Sequence, residues 1–187
     1  MMDKPLQTFY NHYRNRSEIP WSCHVAATGR WEKTLSDFTQ QMFRGRYEYT
    51  IDSKGRVSVP SKFREILTQQ YDDRLVITNY DHCLVAFPYQ EWSLVEEKVK
   101  NLPALNKDAR AFLRFFYSSG IDCEIDKQGR LLIPQSLRDY ANLQKDIVLV
   151  GSGKKIELWN KERWEEEFRK SQESFDRVTD TLTQFGF

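Results

Sequence analysis

The residues of this sequence with the clearest chemical potential are two aspartates, each followed four positions later by an arginine. The pairs are Asp52 with Arg56 and Asp126 with Arg130. Two aspartates that meet in a folded chain can share a proton and act as the acid and base of a hydrolase. A guanidinium close to each carboxylate instead holds both groups ionised. The spacing therefore favours two structural ion pairs, and we expect no catalytic residue here.

Both pairs belong to a sequence that occurs twice. Residues 51–60 read Ile-Asp-Ser-Lys-Gly-Arg-Val-Ser-Val-Pro, and residues 125–134 repeat the Ile, Asp, Gly, Arg and Pro in register. The same register continues to Arg64 and Arg138. Self-similarity at a fixed shift indicates an internal duplication.

Each copy predicts its own local structure. Apolar and polar residues alternate on both sides of the motif, which is typical of two half-buried strands around a tight turn. Gly55 and Gly129 supply the positive φ that such a turn needs, and the aspartates can accept hydrogen bonds from its amides. A proline ends the second strand, and Ser61 is expected to cap a short helix. The predicted structural turn motif is Asp52, Gly55 and Arg56 in the first copy and Asp126, Gly129 and Arg130 in the second.

Outside the motif, hydrophobic periodicity predicts an α+β fold. Further strands are expected at residues 75–78, 83–87, 147–150 and 156–159, with a turn at residues 151–154. Helices are expected at residues 62–69, 91–99 and 107–117 and from residue 161, and a short segment follows the second turn at residues 135–141. The last helix carries an apolar stripe, which is typical of a core or a subunit contact.

The amino-acid composition limits the classes of protein to which this sequence can belong. The net charge of the 187 residues is +1, so only local clusters of charge can argue for nucleic acid. The three cysteines are far apart, which favours a reducing compartment, and no His or Cys pair has the spacing of a metal site. No apolar run approaches the ~20 residues of a membrane span. We expect a cytoplasmic protein with no metal, cofactor or membrane partner.

Residues 1–41 differ from the rest of the chain. They are polar, mixed in charge and without a sustained hydrophobic period. Met42 follows directly and precedes the repeat region by one residue. We interpret residues 1–41 as an atypical, poorly ordered N-terminal extension, with Met42 as the candidate native start.

The doubled Asp-x-x-x-Arg motif, with a strand and a proline after each copy, resembles the MraZ family of bacterial transcriptional regulators, which is related to AbrB. The segment Met42-Phe43-Arg44-Gly45 resembles the start of a MraZ chain, so the resemblance covers residues 42 to about 180. It implies two AbrB-like halves, residues 42–116 and residues 117–187. Their hairpins would interleave into one duplicated, swapped-hairpin β-barrel with flanking helices.

The resemblance also implies a function. MraZ proteins form ring-shaped homo-oligomers, bind tandem repeats of double-stranded promoter DNA upstream of the division and cell wall gene cluster, and regulate its transcription. This chain would then be a nucleoid-associated DNA-binding regulator whose affinity is raised by multivalent contact. A protein-binding module similar to an antitoxin, with an AbrB-type barrel, stays open as the alternative.

The two copies differ in charge. Residues 43–67 contain six basic and three acidic side chains, whereas the equivalent residues 117–141 contain three basic and four acidic ones. Since phosphate neutralisation supplies much of the affinity for DNA, the first copy is the expected DNA surface. Arg56 has two interpretations, an ion pair with Asp52 and a contact to guanine, and one arginine can serve both. The predicted DNA-binding residues are Arg44, Arg46, Lys54 and Arg56.

Overall fold

The computed structural model describes residues 41–103 and 105–182. The extension predicted at residues 1–41 lies, except for Gln41, outside the described residues. The strands are β1 (Phe43–Thr50), β2 (Arg56–Ser58), β3 (Arg74–Tyr80), β4 (Cys83–Pro88), β5 (Ile121–Glu124), β6 (Arg130–Leu132), β7 (Asp146–Gly153) and β8 (Lys155–Asn160). The helices are α1 (Ser61–Gln70), α2 (Tyr89–Lys100), α3 (Lys107–Phe115), α4 (Gln135–Tyr140) and α5 (Lys161–Leu182). The predicted α+β class is confirmed.

One apolar core joins the two copies of the repeat. In β1, Phe43, Tyr47 and Tyr49 contact this core, while Arg44 and Arg46 between them are exposed. The largest fully buried side chains of the core are Phe43, Phe63, Leu67, Leu75, Ile77, Leu84, Leu131, Ile133, Ile147, Leu149, Ile156 and Leu158. Each such side chain contributes roughly 1.5–3 kcal/mol by burial. The two copies are therefore stabilised together.

The strands form an antiparallel six-stranded sheet in the order β1-β7-β8-β4-β3-β5 and a separate two-stranded ladder of β2 and β6. β1 of the first copy pairs with β7 of the second, and β5 of the second copy pairs with β3 of the first. The two strands of the small ladder also come from different copies. Each copy therefore completes its sheet only with strands of the other.

The large sheet is open in the described part of the chain, with β1 and β5 at its two ends. A closed β-barrel, as the resemblance implied, is not formed by these ladders. Pairing between the strands that flank each motif is confined to the turn and, in the second copy, to one further bridge between Ile125 and Leu131. The amide of Asp52 donates to the carbonyl of Arg56 at 2.9 Å, after which β2 pairs with β6 of the other copy. The predicted hairpins are thus short, because β2 and β6 form their ladder with each other and not with the strands that precede their turns.

The helix cap expected at Ser61 is wrong. Helix α1 begins at Ser61, and its N-cap is Pro60, with no side-chain hydrogen bond. The carbonyl oxygen of Pro60 accepts from the amides of Phe63 and Arg64, both at 3.0 Å. Proline has the φ that a helix start requires, so the chain enters α1 without a capping hydroxyl.

The turn expected at residues 151–154 is present but shorter, since β7 continues to Gly153 and Ser152 pairs with Lys155 across a tight turn at Gly153 and Lys154. Gly151 lies opposite Gly45 of β1. A Cβ at Gly151 would lie 2.3 Å from the backbone nitrogen of Arg44. Glycine is therefore required here for the close approach of two strands and does not end the strand.

Helix α5 packs against β7 and β8 through a row of aromatic rings. The ring centroids of Trp159 and Trp164, and those of Trp164 and Phe168, are 5.8 Å apart. Lys161 at the start of the helix forms a 2.7 Å ion pair with Glu48 of β1. None of the helices in the described residues combines the length and hydropathy that a membrane crossing requires.

Candidate nucleic-acid interface

Each motif folds into a turn that is built around its aspartate. Asp52 Oδ1 accepts from the amides of Lys54 and Arg56, both at 2.9 Å. Asp52 Oδ2 accepts from Arg56 Nε at 2.7 Å and forms an ion pair with Arg56 Nη2 at 2.6 Å. Asp126 makes the equivalent contacts to Gln128 and Arg130. The aspartate therefore fixes both the backbone of the turn and the direction of its arginine.

These contacts determine the ionisation of both aspartates. Hydrogen bonds from the side chain and the amide of Arg56 lower the pKa of Asp52 from 3.8 to about 2. The same contacts from Arg130 lower the pKa of Asp126. Each carboxylate is thus ionised at neutral pH and bound to its own arginine. Two carboxylates that share one proton require a different arrangement.

The glycine of each turn lies under an arginine of the other copy. Gly55 has a φ of +83°, and a Cβ there would lie 2.8 Å from Cζ of Arg138. Gly129 has a φ of +75°, and a Cβ there would lie 2.7 Å from Nη1 of Arg64. These arginines donate to the carbonyl oxygens of Ile133 and Val59 at 3.1 and 3.2 Å. Sequence reasoning noted their register but assigned them no role.

The two turns meet in a short antiparallel ribbon formed by β2 and β6. The ladder pairs Arg56 with Leu132, Val57 with Leu131, and Ser58 with Arg130. It is extended by hydrogen bonds from Val59 to Gly129 and from Ile133 to Gly55, each at 2.9 Å. Val57 and Leu131 are buried in the core. The alternate side chains therefore form an outward face, which consists of Arg56, Ser58, Arg130 and Leu132.

The one-for-one exchange of Arg64 and Arg138 leaves three cations at each turn. The first turn carries Lys54 and Arg56, and Arg138 of the other copy lies against its Gly55. The second turn carries Lys127 and Arg130, and Arg64 of the other copy lies against its Gly129. The basic excess of the first copy therefore lies outside the turns, at Arg44, Arg46 and Lys62. Both ends of the ribbon are basic.

Arg44 and Arg46 lie away from the turns. Arg44 is close to the far end of β1, and the strand from there to Thr50 spans roughly 20 Å. The guanidinium of Arg46 lies 5.2 Å from the ring centroid of Phe168 in α5. The four predicted DNA-binding residues therefore do not form one cluster, since Lys54 and Arg56 lie at the ribbon, Arg46 lies beside α5, and Arg44 lies further along β1.

A second surface feature is an apolar groove of about 960 Å³ beside α2 and α3. Side chains that line it include Tyr80, Val95, Val99, Phe112, Phe115 and Tyr140. The rings of Phe112 and Phe115 are exposed. Exposed apolar patches of this kind commonly mark contact with another protein.

Comparison with known proteins connects this geometry with a family. The family model described as "MraZ protein, putative antitoxin-like" matches residues 42–115 and again residues 116–186. A protein of Pediococcus pentosaceus is 47% identical over 146 residues, which cover 78% of this chain and 99% of the relative. A protein of Caldicellulosiruptor saccharolyticus is 44% identical over 145 residues, which cover 78% and 99%.

Both relatives are named transcriptional regulators, and they match this chain along nearly their whole length. The duplicated fold and these relatives together indicate a family of transcriptional regulators. The chain belongs to the MraZ family.

Proposed function

We propose that this protein is a sequence-specific DNA-binding transcriptional regulator and not an enzyme, and that the β2–β6 ribbon contacts the bases. The observation that carries the proposal is the outward face of the ribbon. There Arg56 and Arg130 lie on opposite strands, and each is fixed by an aspartate. The major groove of B-DNA admits a two-stranded ribbon of this kind. The names of the relatives support the same class of function.

The fixed orientation of the two arginines favours base recognition. Asp52 Oδ2 engages Nε and Nη2 of Arg56. A guanidinium that is held through Nε and Nη2 still offers Nη1 to a further acceptor. It also loses less side-chain entropy on binding than a freely rotating arginine. Guanine presents two acceptors, O6 and N7, in the major groove. Arg56 and Arg130 would therefore stabilise the turns and contact guanine in the same conformation.

The lysines at the turns would supply affinity that does not depend on sequence. Lys54 is exposed in the first turn, and Lys127 is exposed in the second. Cations at these positions neutralise phosphates on the two sides of the groove. Arg44 and Arg46 remain predicted phosphate contacts. Since they lie roughly 14–20 Å of strand away from the turn, we expect a smaller contribution from them.

Several ribbons in one particle would bind several operators at once. A ring-shaped homo-oligomer is part of this proposal, and the apolar groove and the exposed rings of Phe112 and Phe115 are available to contact a second copy. Linking several weak sites raises affinity through effective concentration. The exchange of strands between the copies supports the AbrB-like descent of each half.

The genomic target and the location in the cell follow from the family resemblance. The proposed operators are tandem repeats in the promoter upstream of the division and cell wall gene cluster. The proposed location is the cytoplasm, in association with the nucleoid. Regulation would result when the bound ring excludes or repositions RNA polymerase.

Binding to promoter DNA tests the proposal. Fluorescence anisotropy should show a preference on the order of 10³-fold or more for DNA upstream of the protein's own gene over unrelated DNA of equal length. Affinity for both should fall steeply with salt. Equal affinity for the two DNAs would contradict sequence-specific regulation. A monomer with full promoter affinity, detected by mass photometry of the same sample, would contradict the ring.

The family description also names antitoxin-like proteins, and the apolar groove favours a protein-binding module as a second candidate. Such a module would co-purify with a small partner at fixed stoichiometry. Phe112→Ser would then release the partner without changing promoter affinity. Promoter binding in the absence of any partner would favour the regulator.

A further inference from the structure

The outward face of the ribbon is not symmetric. Ser58 and Leu132 occupy equivalent positions in the two copies, yet one side chain is polar and the other apolar. The ladder places Leu132 opposite Arg56 and Ser58 opposite Arg130. Leu132 is 55% exposed, whereas Leu131 beside it is buried in the core. Burial in the core therefore does not explain the leucine at position 132.

We infer that Leu132 is a specificity-determining residue that contacts the 5-methyl group of a thymine next to the base contacted by Arg56. The inference rests on the proposed function, in which the ribbon lies in the major groove. The thymine methyl group is the apolar feature of that groove and is recognised by apolar side chains. Directly opposite residues of an antiparallel ladder have Cβ atoms roughly 4.5–5.5 Å apart. Arg56 and Leu132 are thus placed to contact neighbouring bases.

The surroundings of Leu132 on the ribbon distinguish it from an ordinary exposed leucine. Single exposed apolar residues are common on protein surfaces and need no function. Here the leucine shares its face of the ladder with Arg56, Ser58 and Arg130, and two of these are cations fixed by carboxylates. Leu132 is therefore an apolar side chain among polar and charged ones on this face. A ligand with an apolar group beside hydrogen-bond acceptors fits it, and a thymine next to a guanine presents both in the major groove.

The two ends of the ribbon would then recognise different bases. Arg130 is accompanied by Ser58, whose hydroxyl can bond to either a donor or an acceptor and discriminates less between bases. Arg56 is accompanied by Leu132, which favours thymine. One protomer therefore recognises a site without two-fold symmetry, although its fold is duplicated. Such a site is suited to direct repeats, in which every operator has the same orientation.

Deoxyuridine provides the test, because it differs from thymidine only by the missing methyl group. Promoter DNA in which every thymine is replaced by uracil should bind wild-type protein about fourfold more weakly for each methyl group that Leu132 contacts. This change corresponds to ~0.8 kcal/mol for one buried carbon group. Leu132→Ser, which copies the residue of the first repeat, should bind both DNAs equally. Its salt dependence should match that of wild type, since no phosphate contact is altered.

Leu105→Ser is the matched control. Leu105 is 92% exposed and precedes α3, so this variant should keep the wild-type preference for thymine. Circular dichroism and thermal unfolding establish that all variants are folded. Wild-type protein that binds both DNAs equally, yet still prefers the promoter over unrelated DNA, would overturn the inference and leave the proposed function intact. A Leu132→Ser variant that keeps the preference for thymine would also overturn it. Loss of all promoter preference in wild type would remove the proposed function and the inference together.

Discussion

Asp52 and Arg56 show how much of the candidate site is encoded locally. Their spacing of four residues predicts an ion pair across a turn, and the 2.6 Å contact is present. The partner of Gly55 was not predictable in this way, because Arg138 belongs to the other copy. Register alone reveals that Arg64 and Arg138 correspond, but only the exchange of strands places each over the other turn. Local spacing thus determines a turn, and topology determines its surroundings.

Replacing the carboxylate of the first turn should remove a pH-dependent part of the stability. The pKa of Asp52 is about 2 in the folded state against an ordinary value of 3.8, so folding favours the ionised form. The contribution is fully present above about pH 4 and is lost as the pH falls towards 2. The free energies of unfolding of wild type and Asp52→Asn, measured with urea, should therefore converge as the pH falls through this range.

Asp126→Asn is the matched variant, because the same contacts lower the pKa of Asp126. Asparagine keeps an oxygen that can accept from the turn amides, so the substitution isolates the effect of the charge. A difference between wild type and Asp52→Asn that stays constant with pH would contradict the ion pair.

Gly55→Ala should destabilise the fold because residue 55 has a φ of +83° and its new Cβ would lie 2.8 Å from Arg138. The left-handed backbone costs roughly 1–2 kcal/mol for a residue with a Cβ. Displacement of the guanidinium adds to this cost, and urea unfolding measures the total. In an Arg138→Ala background only the backbone cost remains, so the loss should be smaller. An equal loss in both backgrounds would contradict the contact between the copies.

At the level of helices and strands, sequence periodicity predicts where the elements lie. It does not predict that the two copies exchange strands. Periodicity located the strand at residues 83–87 and the helix at residues 91–99, which the structure extends to Cys83–Pro88 and Tyr89–Lys100. Periodicity does not specify partners, so the pairing of β1 with β7 and of β2 with β6 could come only from the structure. The turn predicted at residues 151–154 is confirmed only at Gly153 and Lys154, since Gly151 belongs to a strand that is closely approached by its neighbour.

Residues 42–116 expressed alone should not fold as a monomer. This half lacks the partners of β1, β2 and the outer edge of β3, which all lie in residues 117–187. Circular dichroism should show no cooperative thermal transition for the monomer, and addition of the second half should restore one. Self-association is the other expected route to folding, since a second copy offers equivalent strands. A monomeric half that unfolds cooperatively would contradict the interdependence of the copies.

For the whole molecule, the positions of the charged side chains in the fold matter more for DNA binding than the net charge of a sequence window. The windows around the two motifs differ in net charge, but each folded turn holds three cations, so the excess of the first copy lies elsewhere. A DNA surface confined to the first copy would leave Arg130 as a purely structural residue. The ribbon instead places Arg56 and Arg130 on one face, and the central claim is that both contact DNA.

The affinity of Arg56→Ala and of Arg130→Ala for promoter DNA, measured at several salt concentrations, tests this claim most directly. Arg114→Ala, which removes an exposed arginine at the end of α3, is the matched control. Each ribbon variant should lose about 1–3 kcal/mol of binding free energy and much of the preference over unrelated DNA, while Arg114→Ala should bind as wild type. A folded Arg130→Ala protein with wild-type affinity and specificity would contradict the two-sided ribbon and confine DNA binding to the first turn.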